Sequence, residues 1–370
     1  MNETGHEQAV KNLFDEEKNR KLNIWKGIGR FFGRLFLFLV ETVALVAIVL
    51  YAGMYVLAKG PSPTIRNIFV TSVRETSAIG FLAELYLSPS EIAEIENVKK
   101  TEDYAPTDTS LFTEPQQSFS TDADKNADAW GLVDDDGDGI IIVPVKGEGY
   151  SGYMMVVLDP SRVIMGSVPS TYGAYGYTVA DMVRKFNAVA GINAGGFYDP
   201  KGEGNGSIPD SKVVVDGQIY YDHLGCNNGI AALDGNSILH VATSMTKEEL
   251  IENDIRYAVC YGPVLISNGE AADPETLPIS LNPRTAIGQR SDKAMLLLVI
   301  DGRQVSSMGA RYQDEVEIMQ RFGAVNAINL DGGSSSVMWF NGGYINKTAS
   351  VIGIRPVPTS FLVLQEGASD

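Results

Sequence analysis

Hydrophobic and polar positions change period several times along the chain. Leu35 to Ala58 is almost continuously apolar, with Glu41 its one charge, and about 20 such residues suffice to span a bilayer as a helix. Because 34 residues precede it, the run fits an uncleaved anchor better than a signal peptide. Gly60-Pro-Ser-Pro63 breaks the helix, after which Phe69, Val73, Phe81, Leu82 and Leu85 keep helical spacing. That pattern predicts a pair of juxtamembrane helices, the second opening at Ser88 with Pro89 in its first turn. Residues 101–128 are rich in Thr, Asp, Ser, Pro and Gln and read as an extended polar spacer. Beyond them the pattern turns to strands. Ile140 to Val145 and Tyr153 to Leu158 frame a hairpin at Gly147-Glu-Gly149, and short strands follow at 212–215, 218–221 and 230–232. Another strand, Arg256 to Ile266, is interrupted at Gly262-Pro263. Helices are few and do not alternate regularly with strands, so the expected class is α+β: a mixed or antiparallel, sheet-rich domain preceded by one transmembrane helix. The divisions are a cytoplasmic tail at 1–34, the span at 35–58, a juxtamembrane segment at 59–100, the spacer at 101–128 and the main domain at 129–366.

Within that domain two stretches resemble each other. Phe186-Asn-Ala-Val-Ala-Gly-Ile-Asn-Ala-Gly-Gly196 aligns with Phe322-Gly-Ala-Val-Asn-Ala-Ile-Asn-Leu-Asp-Gly332, placing Asn193 on Asn329. Each follows a helical pattern, the first capped by Thr178 and the second ending at Gly323. A third apolar strand, Met295 to Ile300, ends in Asp301-Gly-Arg303. If the three strand ends converge, they bring Asn193, Gly195, Gly196, Asp301, Arg303, Asn329 and Asp331 to one ligand, as strand ends often do. The other reading is three unrelated turns. Chemistry is densest after the last strand, where Asp331, Gly332, Gly333, Ser334 and Ser335 supply a carboxylate, close backbone approach and hydroxyls.

A net charge of −17 argues against nucleic acid as the partner. Its distribution matters more. Lys11, Lys18, Arg20, Lys21, Lys26, Arg30 and Arg34 precede the apolar run, so the positive-inside rule places the N-terminus in the cytoplasm and the domain outside the cell. Asp134-Asp-Asp-Gly-Asp-Gly139 begins like a calcium loop, but position twelve is Val145 rather than Glu. A solvated turn is the favoured reading, and a structural calcium there is the one cation left open; no cofactor is expected. Cys226 and Cys260 are the only cysteines. An outside location permits a bridge, although two separate buried thiols are the favoured reading. His223 reads as a polar turn residue, with a proton donor as the alternative.

Several of these stretches in order resemble the phosphodiester glycosidases, a family that includes the lysosomal uncovering enzyme and bacterial members associated with exopolysaccharide. The carrying motifs are Asp159-Pro-Ser-Arg162, Ile192-Asn-Ala-Gly-Gly-Phe197, Asn282-Pro-Arg-Thr-Ala-Ile-Gly288, Val299-Ile-Asp-Gly-Arg303, Asn329-Leu-Asp-Gly-Gly-Ser-Ser335 and Arg355-Pro-Val357. The resemblance spans roughly 138–364 and leaves the first 128 residues uncovered. It implies an enzyme cleaving a sugar-1-phosphodiester between anomeric carbon and oxygen, acting on a phosphorylated glycan at the cell surface. On that basis Asp331 is the carboxylate nucleophile or base, and Asp301 the second acid, orienting water or sugar. Arg284, with Arg303 in reserve, clamps the phosphate. Asn193 and the serines bind sugar or phosphate oxygens. A noncatalytic glycan-binding module and a metal-dependent phosphodiesterase are the alternatives, the latter disfavoured by only three histidines.

Overall fold

The structure is a computed structural model describing residues 3–76, 79–96, 104–113, 128, 130–199, 204–222, 226, 228–350 and 353–367. It divides into two compact units, 1–62 and 63–370. The first is the single helix α1 (Glu3–Lys59). Its stretch Glu16–Lys59 is long and apolar enough to cross a membrane, judged by length and composition. Large apolar side chains such as Phe36, Phe38 and Val43 are exposed all round it, which suits a lipid-facing helix.

The second unit opens with α2 (Pro63–Arg74), α3 (Phe81–Glu84) and α4 (Pro89–Glu96). Ser88 and Glu91 reciprocally cap α4, and Val70, Val73, Ala83, Leu87 and Ile92 share a small apolar core. Residues 104–113, expected within a spacer, instead run along the main domain. Asp108 N donates to Asn268 Oδ1 at 2.8 Å, and Thr113 N to Ser291 O at 2.7 Å. Most of the remaining spacer lies outside the described residues, as does His223.

In chain order the strands and helices of the main domain begin with β1 (Ile140–Gly147), β2 (Tyr150–Val157), β3 (Val163–Ser167), α5 (Val179–Lys185) and β4 (Ala188–Asn193). Next come β5 (Val213–Val215), β6 (Gln218–Tyr221), β7 (Ile230–Asp234), β8 (Leu239–Ala242), α6 (Lys247–Glu252), β9 (Ile255–Cys260), β10 (Val264–Ser267) and β11 (Glu270–Ala271). The last are β12 (Arg284–Arg290), β13 (Met295–Ile300), α7 (Tyr312–Arg321), β14 (Ala324–Asn329), β15 (Met338–Phe340), β16 (Gly343–Tyr344) and β17 (Thr359–Leu364). They form three antiparallel sheets, ordered β1-β2-β13-β12-β14-β10-β11, β16-β15-β4-β17-β3 and β6-β5-β9-β7-β8. The fold is therefore α+β.

The unbroken apolar run of β13 has a direct cause. Leu297 and Val299 face the core shared with the other two sheets, while Leu296 and Leu298 pack with Val316 and Met319 of α7 on the opposite face. A strand covered on both faces loses the polar alternation of a half-exposed one. Cys226 and Cys260 are bonded to each other, with Cα atoms 5.4 Å apart. This corrects the expectation of two separate thiols: Cys260 ends β9, and the loop before β7 returns Cys226 beside it.

Candidate active site

The last residues of β14 leave one sheet and cross to another. Leu330 N still bonds Thr285 O of β12 at 2.7 Å, but Asp331 N donates to Ala194 O at 2.9 Å, just beyond β4. Asn193 fixes the crossing, its Nδ2 donating to Asp331 O and its Oδ1 accepting from Thr285 Oγ1 and Val337 N at 3.0 and 3.1 Å. Gly332 is required there, since a Cβ would lie 2.8 Å from Pro283 O, and Gly333 turns the chain at φ +60. The Asp331 carboxyl is thus held between sheets. Burial, helped by the nearby Asp210 charge, pushes its pKa up to about 6, while Ser335 and Tyr261 act to lower it.

Asp331 lies in a cavity of about 530 Å³, a size suited to a small ligand such as a sugar phosphate. Asp210 also lines the cavity, and its backbone N donates to Gly196 O at 3.2 Å. Gly196 makes room for it: a Cβ would stand 2.4 Å from Asp210 Oδ2 and 3.0 Å from the Tyr261 ring. Burial raises the Asp210 pKa as well. Arg355 also lines the cavity, paired with Asp199 at 2.8 Å.

Two more arginines complete the wall in different states. Arg303, at φ 56, donates to Asn282 Oδ1 at 2.9 Å and Thr76 Oγ1 at 2.6 Å, and has no carboxylate partner among the described residues. Arg284 is buried and its guanidinium is engaged throughout. Nε donates to Ala310 O, Nη2 to Ser280 and Nη1 to Glu75 Oε2 at 3.3 Å, while Tyr312 stacks 3.7 Å beneath it. Glu315 is 4.0 Å from Arg284, and burial raises its pKa to about 8, leaving Glu75 as the counter-charge of the pair. Glu75 also accepts from Ser280 Oγ and from Asn282 Nδ2 at 2.7 Å.

Of the residues singled out in the sequence, Gly196, Arg284, Arg303, Asp331, Gly332, Gly333, Ser334 and Ser335 meet at this cavity. Asp301, Gly195, Asn193 and Asn329 do not line it. Asp301 remains in its sheet, its N donating to Ser151 O, and its Oδ1 accepts from Asn346 Nδ2 and Lys347 N at 3.1 and 2.9 Å. Its carboxylate braces a loop instead of meeting a ligand. Asn329 Nδ2 donates to Gly262 O at 2.6 Å, and Gly195 N to Thr359 Oγ1 at 3.0 Å. Sequence reasoning missed Asp210, Tyr261 and Glu75. Asp210 stands in an irregular segment with no periodic signal, Tyr261 falls within the stretch read as one strand from Arg256 to Ile266 but lies just past the end of β9, and Glu75 follows a helix read as juxtamembrane. Arg355 stood within a quoted motif but received no role. Away from the cavity, Asp134, Asp136 and Asp138 place carboxylate oxygens within 4.8 Å of one another, a set able to take a hard cation. Asp134 also accepts from Gly137 N and Gly139 N, as a solvated turn would.

A concave site lined by carboxylates and arginines, built where a strand end passes from one sheet to another, is suited to a small polar ligand carrying negative charge. Residues 186–364 match the family model for phosphodiester glycosidase. The prophage-derived uncharacterized protein YomE of Bacillus subtilis is 30% identical over 202 residues, covering 52% of this chain and 30% of that one. Mouse N-acetylglucosamine-1-phosphodiester alpha-N-acetylglucosaminidase is 25% identical over 219 residues, covering 53% of this chain and 41% of the mouse protein. The match thus spans less than half the length of either relative. The catalytic domain of the zebrafish enzyme of that name superposes with TM-score 0.50 at 19% identity, over 61% of this chain and 82% of that domain, which supports the fold.

Proposed function

We propose that the chain is a membrane-anchored extracellular glycosidase that hydrolyses a sugar-1-phosphodiester in a cell-surface or exopolysaccharide glycan, releasing free sugar and a phosphomonoester. The observation that carries this reading is one cavity holding Asp331 on its floor and Arg303, without an acidic partner among the described residues, at its wall. A sugar fits the space beside the carboxylate, and the diester's negative charge meets a guanidinium that has no ion pair among the described residues. Arg284, assigned the phosphate from sequence, takes a supporting part here. Its donors are engaged by Glu75, Ser280 and Ala310, so it contributes positive charge behind the wall while Arg303 makes contact. Ser334 and Ser335 supply hydroxyls to sugar or phosphate, and the reaction calls for no cofactor.

The test is hydrolysis by the full chain in detergent of a panel of methyl glycosyl-1-phosphodiesters, with free sugar and methyl phosphate measured separately. Turnover that survives a chelator and falls about 10²-fold in Arg303→Met is expected, equivalent to losing a hydrogen-bonded charge contact of about 3 kcal/mol. Binding without turnover would make the protein a glycan-binding module, and loss of turnover with chelator would make it a metal-dependent phosphodiesterase. Protease added to intact cells should remove the domain if it is extracellular.

A further inference from the structure

We infer that Asp210 is the second catalytic carboxylate of this cavity, facing Asp331 across the bound sugar and taking the proton of the attacking water. The inference rests on the hydrolytic reading above. Its grounds are geometric. Asp210, Asp331 and Tyr261 line the same cavity, and the Tyr261 ring lies beside the Gly196 position that Asp210 crowds. The backbone is shaped to admit the Asp210 carboxylate, because any side chain at Gly196 would collide with Oδ2. Asp210 has no ion pair among the described residues, whereas Asp199, another acid lining the cavity, is tied to Arg355 at 2.8 Å. A carboxylate given space and desolvated beside a ligand cavity without an ion pair costs stability, which is the mark of a group retained for function. Asp301, the second acid expected from sequence, has its Oδ1 occupied by Asn346 and Lys347.

The step balances with these two acids. Water's oxygen forms a bond to the anomeric carbon as its proton passes to ionised Asp210. The bond from that carbon to the phosphate oxygen breaks with its electron pair moving to the phosphate, which receives the proton held by Asp331. Water later exchanges the protons and resets the pair. This gives Asp331 the acid's part in place of the nucleophile or base expected from sequence. Its pKa of about 6 matches the second ionisation of a phosphomonoester, about 6, so the transfer is close to thermoneutral. The charged and titratable groups lining the cavity with the pair are Tyr261, Arg355, Arg303, Asp199 beside Arg355, and Glu75 paired with Arg284. Activity falls as pH rises through the Asp331 value, because the acid is lost. It falls again as pH drops through the raised Asp210 value, because the base is lost.

The experiment uses the full chain in detergent with the methyl glycosyl-1-phosphodiester panel. Asp210→Asn is expected to lower kcat about 10³-fold with KM nearly unchanged, within the span for positioned proton transfer, and to abolish the acid limb of the kcat profile. Formate should restore part of the rate to Asp210→Ala. Independently of turnover, carbon-13 NMR of labelled Asp carboxyls should show Asp331 titrating about one pH unit lower in Asp210→Asn, as interacting acids do. Wild-type kinetics in a folded Asp210→Asn, or an Asp331 midpoint that does not move, overturns the inference. Failure of the hydrolytic reading looks different: the wild type is then inactive across the panel while the titrations remain coupled.

Discussion

Helix α5 leads into β4 as α7 leads into β14, and both strands bury their last four residues and end in asparagine. The two tips then diverge. Asn193 uses both ends of its amide, reaching Asp331 O, Thr285 and Val337 N, whereas Asn329 uses only Nδ2, and its buried Oδ1 has no partner. Two residues on, the β4 arm has Gly195 where the β14 arm has Asp331. One arm supplies the cavity's carboxylate, and the other supplies the clamp and, through Gly196, the space. Similar backbone units can therefore divide a site between charge and room, with the side chains after the shared asparagine deciding which is which.

The comparison is broken most severely by Asp331→Asn, which makes both tips chargeless. Turnover of a glycosyl phosphodiester should fall about 10³-fold, while the melting temperature at pH 7 holds or rises. A structural Asp would show the opposite pattern. Asn193→Ala should destabilise by about 3 kcal/mol in chemical denaturation, since several buried partners lose their bonds, against about 1 kcal/mol for Asn329→Ala. Equal losses would mean that the two asparagines are interchangeable. The pH dependence of stability sharpens the contrast further. Because the folded-state pKa of Asp331 is raised to about 6, its favourable contribution is complete below the unfolded value near 3.9 and disappears as pH rises through about 6, a change of up to about 3 kcal/mol. Unfolding free energies of wild type and Asp331→Asn, compared from pH 4 to 7, should differ by that slope. The glycine pair gives the smallest effect. Gly195→Ala presses on Val259 at 3.1 Å and should cost about 1 kcal/mol of stability with kinetics intact. Gly196→Ala pushes the Asp210 carboxylate and should lower kcat about tenfold, about 1.4 kcal/mol.

What is legible in the sequence follows from where the information lies. The strand ending at Asn329 and its polar tip are contiguous, so period and residue type alone mark them. The hairpin at Gly147 is equally local, and it forms with Gly147 opposite Tyr150 and Gly149 at φ +80. Asp301 and Asp331 look alike in sequence, each closing a buried strand. Only the sheets separate them, since Asp301 continues the ladder with Ser151 while Asp331 leaves its own for Ala194. Asp210 carries no such mark, and Tyr261, read inside a strand, sits just past its end, because long-range packing brings irregular backbone to the cavity, which no local period encodes.

The end of α2 has a consequence for genetics. Glu75 and Thr76 stand outside the stretch that matches the family, close in sequence to the apolar helix, yet they hold Arg284 and Arg303. A mutational screen that mapped a loss-of-function allele to codon 75 would naturally file it as a defect in membrane insertion or export. The hydrogen bonds predict a different phenotype: protein inserted in its normal place, with the wall of its cavity destabilised and the activity proposed for it impaired. Alleles in that short interval should therefore group with those of codon 284 rather than with lesions of the anchor.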